Sequence, residues 1–222
     1  MDKQAEIQLV SGLKQLIPDA TFLTEEETVA QETGDYLWII DPLDGTTNFL
    51  HQIPTFAVSV ALQHKGTTIL GVVYEVNQQE CFYAWKGGGA FLNDQPISVS
   101  ATTSVEDSLM ATGFPYYDYD RMEAYLKVLR FCMFKTRGIR RLGAAAVDLA
   151  YVACGRFDAY FEYSLSPWDL AAGAFIVQEA GGVVSDFQGG DNYLYGKELV
   201  VGNPVIFKEM ARIIKDAFYS VR

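Results

Sequence analysis

Five apolar residues, Tyr36-Leu37-Trp38-Ile39-Ile40, run without a break into Asp41-Pro42-Leu43-Asp44-Gly45, and this junction constrains the fold more than any other stretch. A continuous apolar run of this length reads as a fully buried strand, because a strand with one wet face would alternate. Such a strand fits layered helices and sheets. It is expected to end on Asp41. Two carboxylates then flank a proline-stiffened turn, so both side chains and the carbonyl between them can converge on one point, as in an oxygen site for magnesium. Gly45 permits close backbone approach, and the Gly45 and Thr46 amides would open onto a phosphate oxygen. The plainer reading is a strand-ending turn in which Asp41 caps a helix. A bare Asp-Gly pair would be read that way, whereas the whole DPLDGTTNF stretch points to function.

The flanking sequence supplies the layers. Ile7, Val10, Leu13, Leu16 and Ile17 recur at helical spacing until Pro18 and predict an amphipathic first helix. The polar, acidic segment Thr24 to Asp35 leads into the buried strand. From Thr55 to Leu92, the runs TFAVSVALQ, TTILGVVYEV and ECFYAW, separated by HKG and NQQ turns, predict an antiparallel meander closed by Gly87-Gly88-Gly89. The second half predicts helices around Asp120 to Phe131, from Gly143 to Cys154, from Trp168 to Ala180 and from Pro204 onward. Strands are expected at Phe157 to Tyr163, Val183 to Phe187 and Leu199 to Val201. No proline-rich linker or repeat divides the chain. It therefore reads as one α+β unit over residues 1–222, with halves of about 1–115 and 116–222.

Charge and cysteine content exclude several roles. Seventeen Lys and Arg against 28 Asp and Glu give a formal charge of -11, so the averaged surface repels nucleic-acid phosphates. No nucleic-acid partner is expected. A phosphorylated small molecule remains a candidate, since bound cations can invert the local sign. Cys81, Cys132 and Cys154 are widely spaced, without CxxC spacing, and suggest neither a disulfide framework nor a zinc site. The start, MDKQAEIQLV, lacks the order of a signal peptide, and no apolar run is long enough to span a membrane. A cytoplasmic setting with no membrane partner is expected.

Two further acidic stretches matter. Asp169, in Ser166-Pro167-Trp168-Asp169-Leu170-Ala171-Ala172-Gly173, reads alone as a helix N-cap and, beside the Asp41 and Asp44 loop, as a further hard ligand. Glu25-Glu26-Glu27 reads alone as a solvated acidic loop. His51 and His64 lack partners at ligand spacing and read as surface loop histidines. The clusters Phe114 to Tyr119 and Tyr160 to Tyr163 read as core or interface. Arg137, Arg140 and Arg141 form the only basic cluster, either a solvated patch or a substrate or dimer contact.

Together these segments resemble the inositol monophosphatase family of magnesium-dependent, lithium-sensitive sugar and nucleotide phosphatases. WIIDPLDGTTNF resembles that family's first signature and PWDLAAGAFIVQEAGG its second, and the resemblance runs along essentially the whole chain. Phe22-Leu23-Thr24-Glu25-Glu26, Gly71-Val72-Val73-Tyr74, Lys86-Gly87-Gly88-Gly89-Ala90-Phe91 and Arg141-Leu142-Gly143-Ala144-Ala145-Ala146 extend it. It implies a layered α-β-α-β-α sandwich and a homodimer. It also implies a site for two or three Mg2+ ions held by Glu25, Asp41, the Leu43 carbonyl, Asp44 and Asp169. Thr46 would orient the attacking water, with Glu25 and Asp2 completing its activation. The Gly45 and Thr46 amides would hold the phosphate, while Asp44, Glu162 and the Gly143, Ala144 and Ala145 turn would face the sugar hydroxyls.

The chain departs from the family pattern in three places. Thr24 replaces a glycine before Glu25, Ala144 stands where the family commonly has Ser or Thr, and the family's first helix and hairpin before Asp2 are expected to be missing. The implied reaction is hydrolysis of a small phosphate monoester, with inositol monophosphate as the leading substrate. Fructose 1,6-bisphosphate, adenosine 3',5'-bisphosphate, histidinol phosphate and NADP are the alternatives, because the signatures bind metal and phosphate without choosing among them. A non-catalytic regulatory protein of the same fold is the alternative of a different class.

Overall fold

The computed structural model describes residues 2–31, 34–115 and 119–220. Seven strands form the larger sheet in sequence order: β1 (Thr21–Thr24), β2 (Tyr36–Asp44), β3 (Ala57–His64), β4 (Thr67–Glu75), β5 (Glu80–Trp85), β6 (Gly89–Leu92) and β7 (Gln95–Ile97). Among the described residues of this sheet, β1 pairs parallel with β2 and the other strand pairs are antiparallel; β3, β4 and β5 are the meander that the turn signals predict, and β2, β6 and β7 extend it beyond that expectation. Trp38 and Ile40 of β2 point to one face, where they pack with Val60, Leu62 and Val10 of helix α1 (Asp2–Leu16). Ile39 points to the other face and joins Ala57, Ala61, Val73 and Phe82 in the central core. Both faces of β2 are therefore covered, which is why its sequence does not alternate.

Helices α4 (Ala145–Ala153) and α5 (Pro167–Glu179) fill the space between this sheet and a second one. Every residue from Leu170 to Val177 of α5 is buried, as expected for a helix apolar all round and enclosed by packed layers. The second sheet has five strands in the order β11 (Val183–Ser185), β12 (Glu198–Gly202), β10 (Ala159–Tyr163), β8 (Leu109–Thr112) and β9 (Gly138–Arg140). Its outer face, with Met110, Phe161 and Val200, packs on α3 (Met122–Lys135) and on Ile206 and Met210 of α6 (Pro204–Tyr219). The layers thus alternate α-β-α-β-α. The cysteines are free, and among the described residues no helix is long and apolar enough to cross a membrane.

The amphipathic first helix is present and spans Asp2–Leu16. Other sequence expectations need correction. β2 does not end on Asp41 but continues to Asp44, with a register shift against β3 between those residues. The cause is local: Pro42 has no amide to donate, and the Leu43 amide turns to the Asp41 carboxylate at 2.8 Å, so the ladder skips and resumes. Of the Phe114 to Tyr119 cluster, residues 116–118 lie outside the described residues, as do residues 32 and 33 of the acidic segment. His64 lies at the end of β3, stacked on Tyr36 with ring centroids 4.4 Å apart, whereas His51 is exposed.

Candidate active site

The site opens where β2 ends. Gly45 has φ +89, a left-handed conformation that a side chain would strain. It starts the short helix α2 (Thr46–Leu50) and turns the chain back toward α4. Asn48, buried in this helix, donates to the Thr55 carbonyl and the Leu142 carbonyl, both at 2.8 Å. It ties the turn to the segment before α4. Nothing in the sequence singles out Asn48 except its place inside the signature.

Asp44 is the hinge between β2 and α4. Its two carboxylate oxygens accept from the Ala145 amide at 3.2 Å and the Ala146 amide at 2.7 Å, orphan donors of a helix start. Asp169 is not the N-cap of α5 but its third helical residue, three positions after the cap Ser166, and it accepts from the Ser166 amide at 2.7 Å. Ser59 on β3 donates to the Trp168 carbonyl at 3.1 Å and seats this helix start against the larger sheet. Ligand oxygens of Asp41, Asp44 and Asp169 all lie within 4.8 Å of one another. Glu25 completes the group, its carboxyl in hydrogen-bond contact with that of Asp41.

So many carboxylates in one place cannot all ionise without a counter-charge. Burial, then repulsion from Asp44, Glu25 and Asp169, pushes Asp41 well above the usual range. Burial is also the main reason that Asp44 and Asp169 are each raised to about 7. Glu25 is raised as well, by burial and then by the charges of Glu26, Asp2 and Glu6. Asp41, Asp44 and Asp169, with Glu25 beside them, offer several oxygens and no nitrogen or sulfur, a donor set suited to hard divalent cations such as Mg2+. The residues present fit that ion.

These groups form the floor of a cavity of about 220 Å³. Every site residue named from the sequence lines it, from Glu25 through Asp41, Leu43, Asp44, Gly45, Thr46, Gly143, Ala144, Ala145 and Glu162 to Asp169, with the exception of Asp2. Asp2 lies on the first turn of α1, close enough for its charge to act on Glu25. Thr46 donates its hydroxyl proton to the Leu43 carbonyl at 3.0 Å, leaving the oxygen to serve as an acceptor. Glu162, which also lines the cavity, is buried and accepts from Tyr160, and burial raises it to about 8. A β-carbon at Gly113 would fall 1.8 Å from the Glu162 carboxylate, so only glycine leaves room for Glu162 in this position.

The basic cluster divides. Arg141 lines the cavity and lies over Phe114, with its guanidinium carbon 5.3 Å from the ring centroid. Arg137 instead makes an exposed ion pair with Asp107 at 2.8 Å, and Arg140 is exposed. Asp148 also went unnoticed in the sequence. It is buried in the first turn of α4, and among the described residues its Oδ1 has no hydrogen-bond partner. Its signal was a lone charge inside an otherwise apolar, alanine-rich helix.

A family model for the inositol monophosphatase family matches residues 1–218. The Nus factor SuhB of Pseudomonas aeruginosa is 46% identical over 220 residues, which cover 97% of this chain and 81% of that protein. The crystal structure of the extragenic suppressor protein suhB from Bartonella henselae superposes with a TM-score of 0.92 at 43% identity, covering 99% of this chain and 84% of the other. An inositol monophosphatase from Anabaena (Nostoc) gives a TM-score of 0.88 at 38% identity, over 96% of this chain and 85% of its own. With the signature carboxylates gathered in one cavity and the layers in matching order, the chain belongs to the inositol monophosphatase family.

Proposed function

We propose that this chain hydrolyses a small phosphate monoester, inositol monophosphate first among the candidates, using Mg2+ ions held by Glu25, Asp41, the Leu43 carbonyl, Asp44 and Asp169. The observation that carries this reading is the convergence of Asp41, Asp44 and Asp169, from two distant segments, with ligand atoms within 4.8 Å. When bound, Mg2+ supplies neutralisation of the phosphoryl oxygens, acidification of a water and stabilisation of the departing alkoxide. The chain's own residues do the positioning. Thr46, its proton committed to Leu43, accepts a hydrogen bond from the attacking water and so aims the water's lone pair at phosphorus. Glu25, assisted by the neighbouring Asp2, takes up the proton that water gives away.

The Gly45 and Thr46 amides hold the phosphate at the start of α2. On the leaving-group side, Glu162 and the Gly143, Ala144 and Ala145 turn face the hydroxyls, with one hydroxyl contact fewer because residue 144 is alanine. Asp44 serves both the metal side and the substrate side. We propose that residues 1–222 act as one catalytic unit and that two copies associate.

The test is a panel of phosphate monoesters assayed for phosphate release with Mg2+. The reading expects turnover on inositol monophosphate above fructose 1,6-bisphosphate, adenosine 3',5'-bisphosphate, histidinol phosphate and NADP. A different order reassigns the substrate, while no release from any ester across a full Mg2+ titration contradicts the enzymatic reading. A second reading, a regulatory protein that acts by binding a partner, is favoured by the Nus factor name of the Pseudomonas aeruginosa relative. That reading would stand if the panel gave no turnover.

A further inference from the structure

One carboxylate beside the site belongs to neither signature and to no reaction step. Glu6 sits in the first half of α1 with no exposed surface, although carboxylates are almost never fully buried without partners. Its Oε1 accepts from the Thr24 hydroxyl at 3.0 Å, the Thr28 amide at 2.8 Å and the Thr28 hydroxyl at 2.6 Å. Its Oε2 accepts from the Glu26 amide at 2.8 Å. Burial would raise this carboxyl, but Thr28, Glu26 and Thr24 outweigh it and hold it below the usual range. The donors bracket Glu25 on both sides.

Glu25 is left free by this arrangement to face the cavity, and its own amide donates to the Ile40 carbonyl at 3.3 Å. The same bonds hold the N-terminal part of α1 against the loop. Asp2 precedes Glu6 by four residues and therefore shares its helix face, which places it beside Glu25. Thr24, which stands in place of the family's glycine, contributes one of the four donors and is itself fully buried. The departure from the family pattern thus adds a hydroxyl to the clamp.

We propose that Glu6 is a positioning residue for the cation centre. Its carboxylate gathers the 24–28 loop so that Glu25 stays against Asp41, and it docks α1 so that Asp2 stays beside Glu25. This rests on the reading of Glu25 as a cation ligand. The test uses Mn2+ as a probe, with bound ion counted by titration of the whole protein and thermal melting measured alongside. Five proteins are compared: unaltered, Glu25→Gln, Glu6→Gln, the double variant of these two, and Thr28→Val.

Glu25→Gln should weaken one class of Mn2+ sites by tenfold or more, and Glu6→Gln should weaken the same class by about tenfold. The double variant should bind no worse than Glu25→Gln alone, because both changes remove the same ligand. Thr28→Val, which deletes one hydroxyl donor and keeps side-chain size, should weaken that class about threefold, and it decides the matter if Glu6→Gln does not fold. Unchanged Mn2+ binding in Glu6→Gln and Thr28→Val, with the site weakened in Glu25→Gln, would overturn the inference and leave the ligand reading intact. Additive losses in the double variant would also overturn it, since they would mean that Glu6 acts on general stability. Unchanged binding in Glu25→Gln would overturn the ligand reading and this inference with it.

Discussion

Two segments deliver carboxylates to one centre by different means. The Asp41 to Gly45 turn is shaped from within: Pro42 fixes it, the Leu43 amide folds back on Asp41 and Gly45 reverses the chain, after which Asn48 ties it to the segment before α4. The Thr24 to Thr28 segment has no such internal scaffold. It is gathered around the carboxylate of Glu6, from 18 to 22 residues earlier in the chain. A ligand can be placed by its own turn or by a buried acceptor elsewhere, and only the first kind of placement is written in a contiguous motif.

Breaking the self-scaffolded segment should have the larger effect. Asp44→Asn keeps size but removes a ligand charge, and its amide nitrogen would face the Ala145 or Ala146 amide that Asp44 now accepts from. Phosphate release should fall on the order of a thousandfold, as the loss of charge stabilisation in a buried site predicts. Leaving a helix-start amide unmatched should cost about 1–3 kcal/mol of stability in a protein that still folds, as circular dichroism and melting would record. Near-normal turnover would remove Asp44 from the centre.

The part of the cavity lined by Glu162 should answer differently. Gly113→Ala places a methyl group where the Glu162 carboxylate lies, so the carboxylate must move. KM for a polyol phosphate should rise about tenfold, in line with the loss of a hydrogen bond to a charged group, while the Mg2+ titration stays in place. Glu162→Gln should likewise alter substrate preference more than metal affinity. A strong shift of the metal titration in either variant would move Glu162 from the substrate side to the cation side.

The smallest effect is one of stability against pH. Asp44 and Asp169 are raised to about 7, so the folded state without cations binds their protons more tightly than the unfolded chain does. The stabilising contribution is then fully present below the ordinary carboxylate value and is lost as pH rises toward 7. Melting of the cation-free protein should fall by several degrees between about pH 5 and pH 8, and Mg2+ should restore it more at pH 8 than at pH 5. A cation-free melting temperature that rises over this interval would contradict the clustered, uncompensated carboxylates.

The same contrast explains what could be read from the sequence. The buried strand, the meander and the alanine-rich helices show in patterns local to each element, and the residues of both signatures come together in one cavity. Short strands were missed. β1 has four residues next to an acidic run, β8 reads Leu-Met-Ala-Thr, and β9 has three residues, so each depends on pairing with a neighbour more than on its own propensity. β2 was expected to end at Asp41 because a proline and a carboxylate normally stop a strand, whereas the register shift carries it on to Asp44. Glu6 and Gly113 left no signal because their partners are far away in sequence: the Glu6 contacts span up to 22 residues, and Gly113 meets Glu162.

Phosphate release from inositol 1-phosphate as Mg2+ is removed and returned tests most directly whether the two segments serve one cation-dependent phosphatase centre. The account predicts that exhaustive chelation abolishes release, that Mg2+ restores it saturably, that Li+ suppresses the restored activity, and that Glu25→Gln and Asp44→Asn each prevent recovery. Hydrolysis that continues undiminished after chelation, or that recovers fully in both variants, would contradict it.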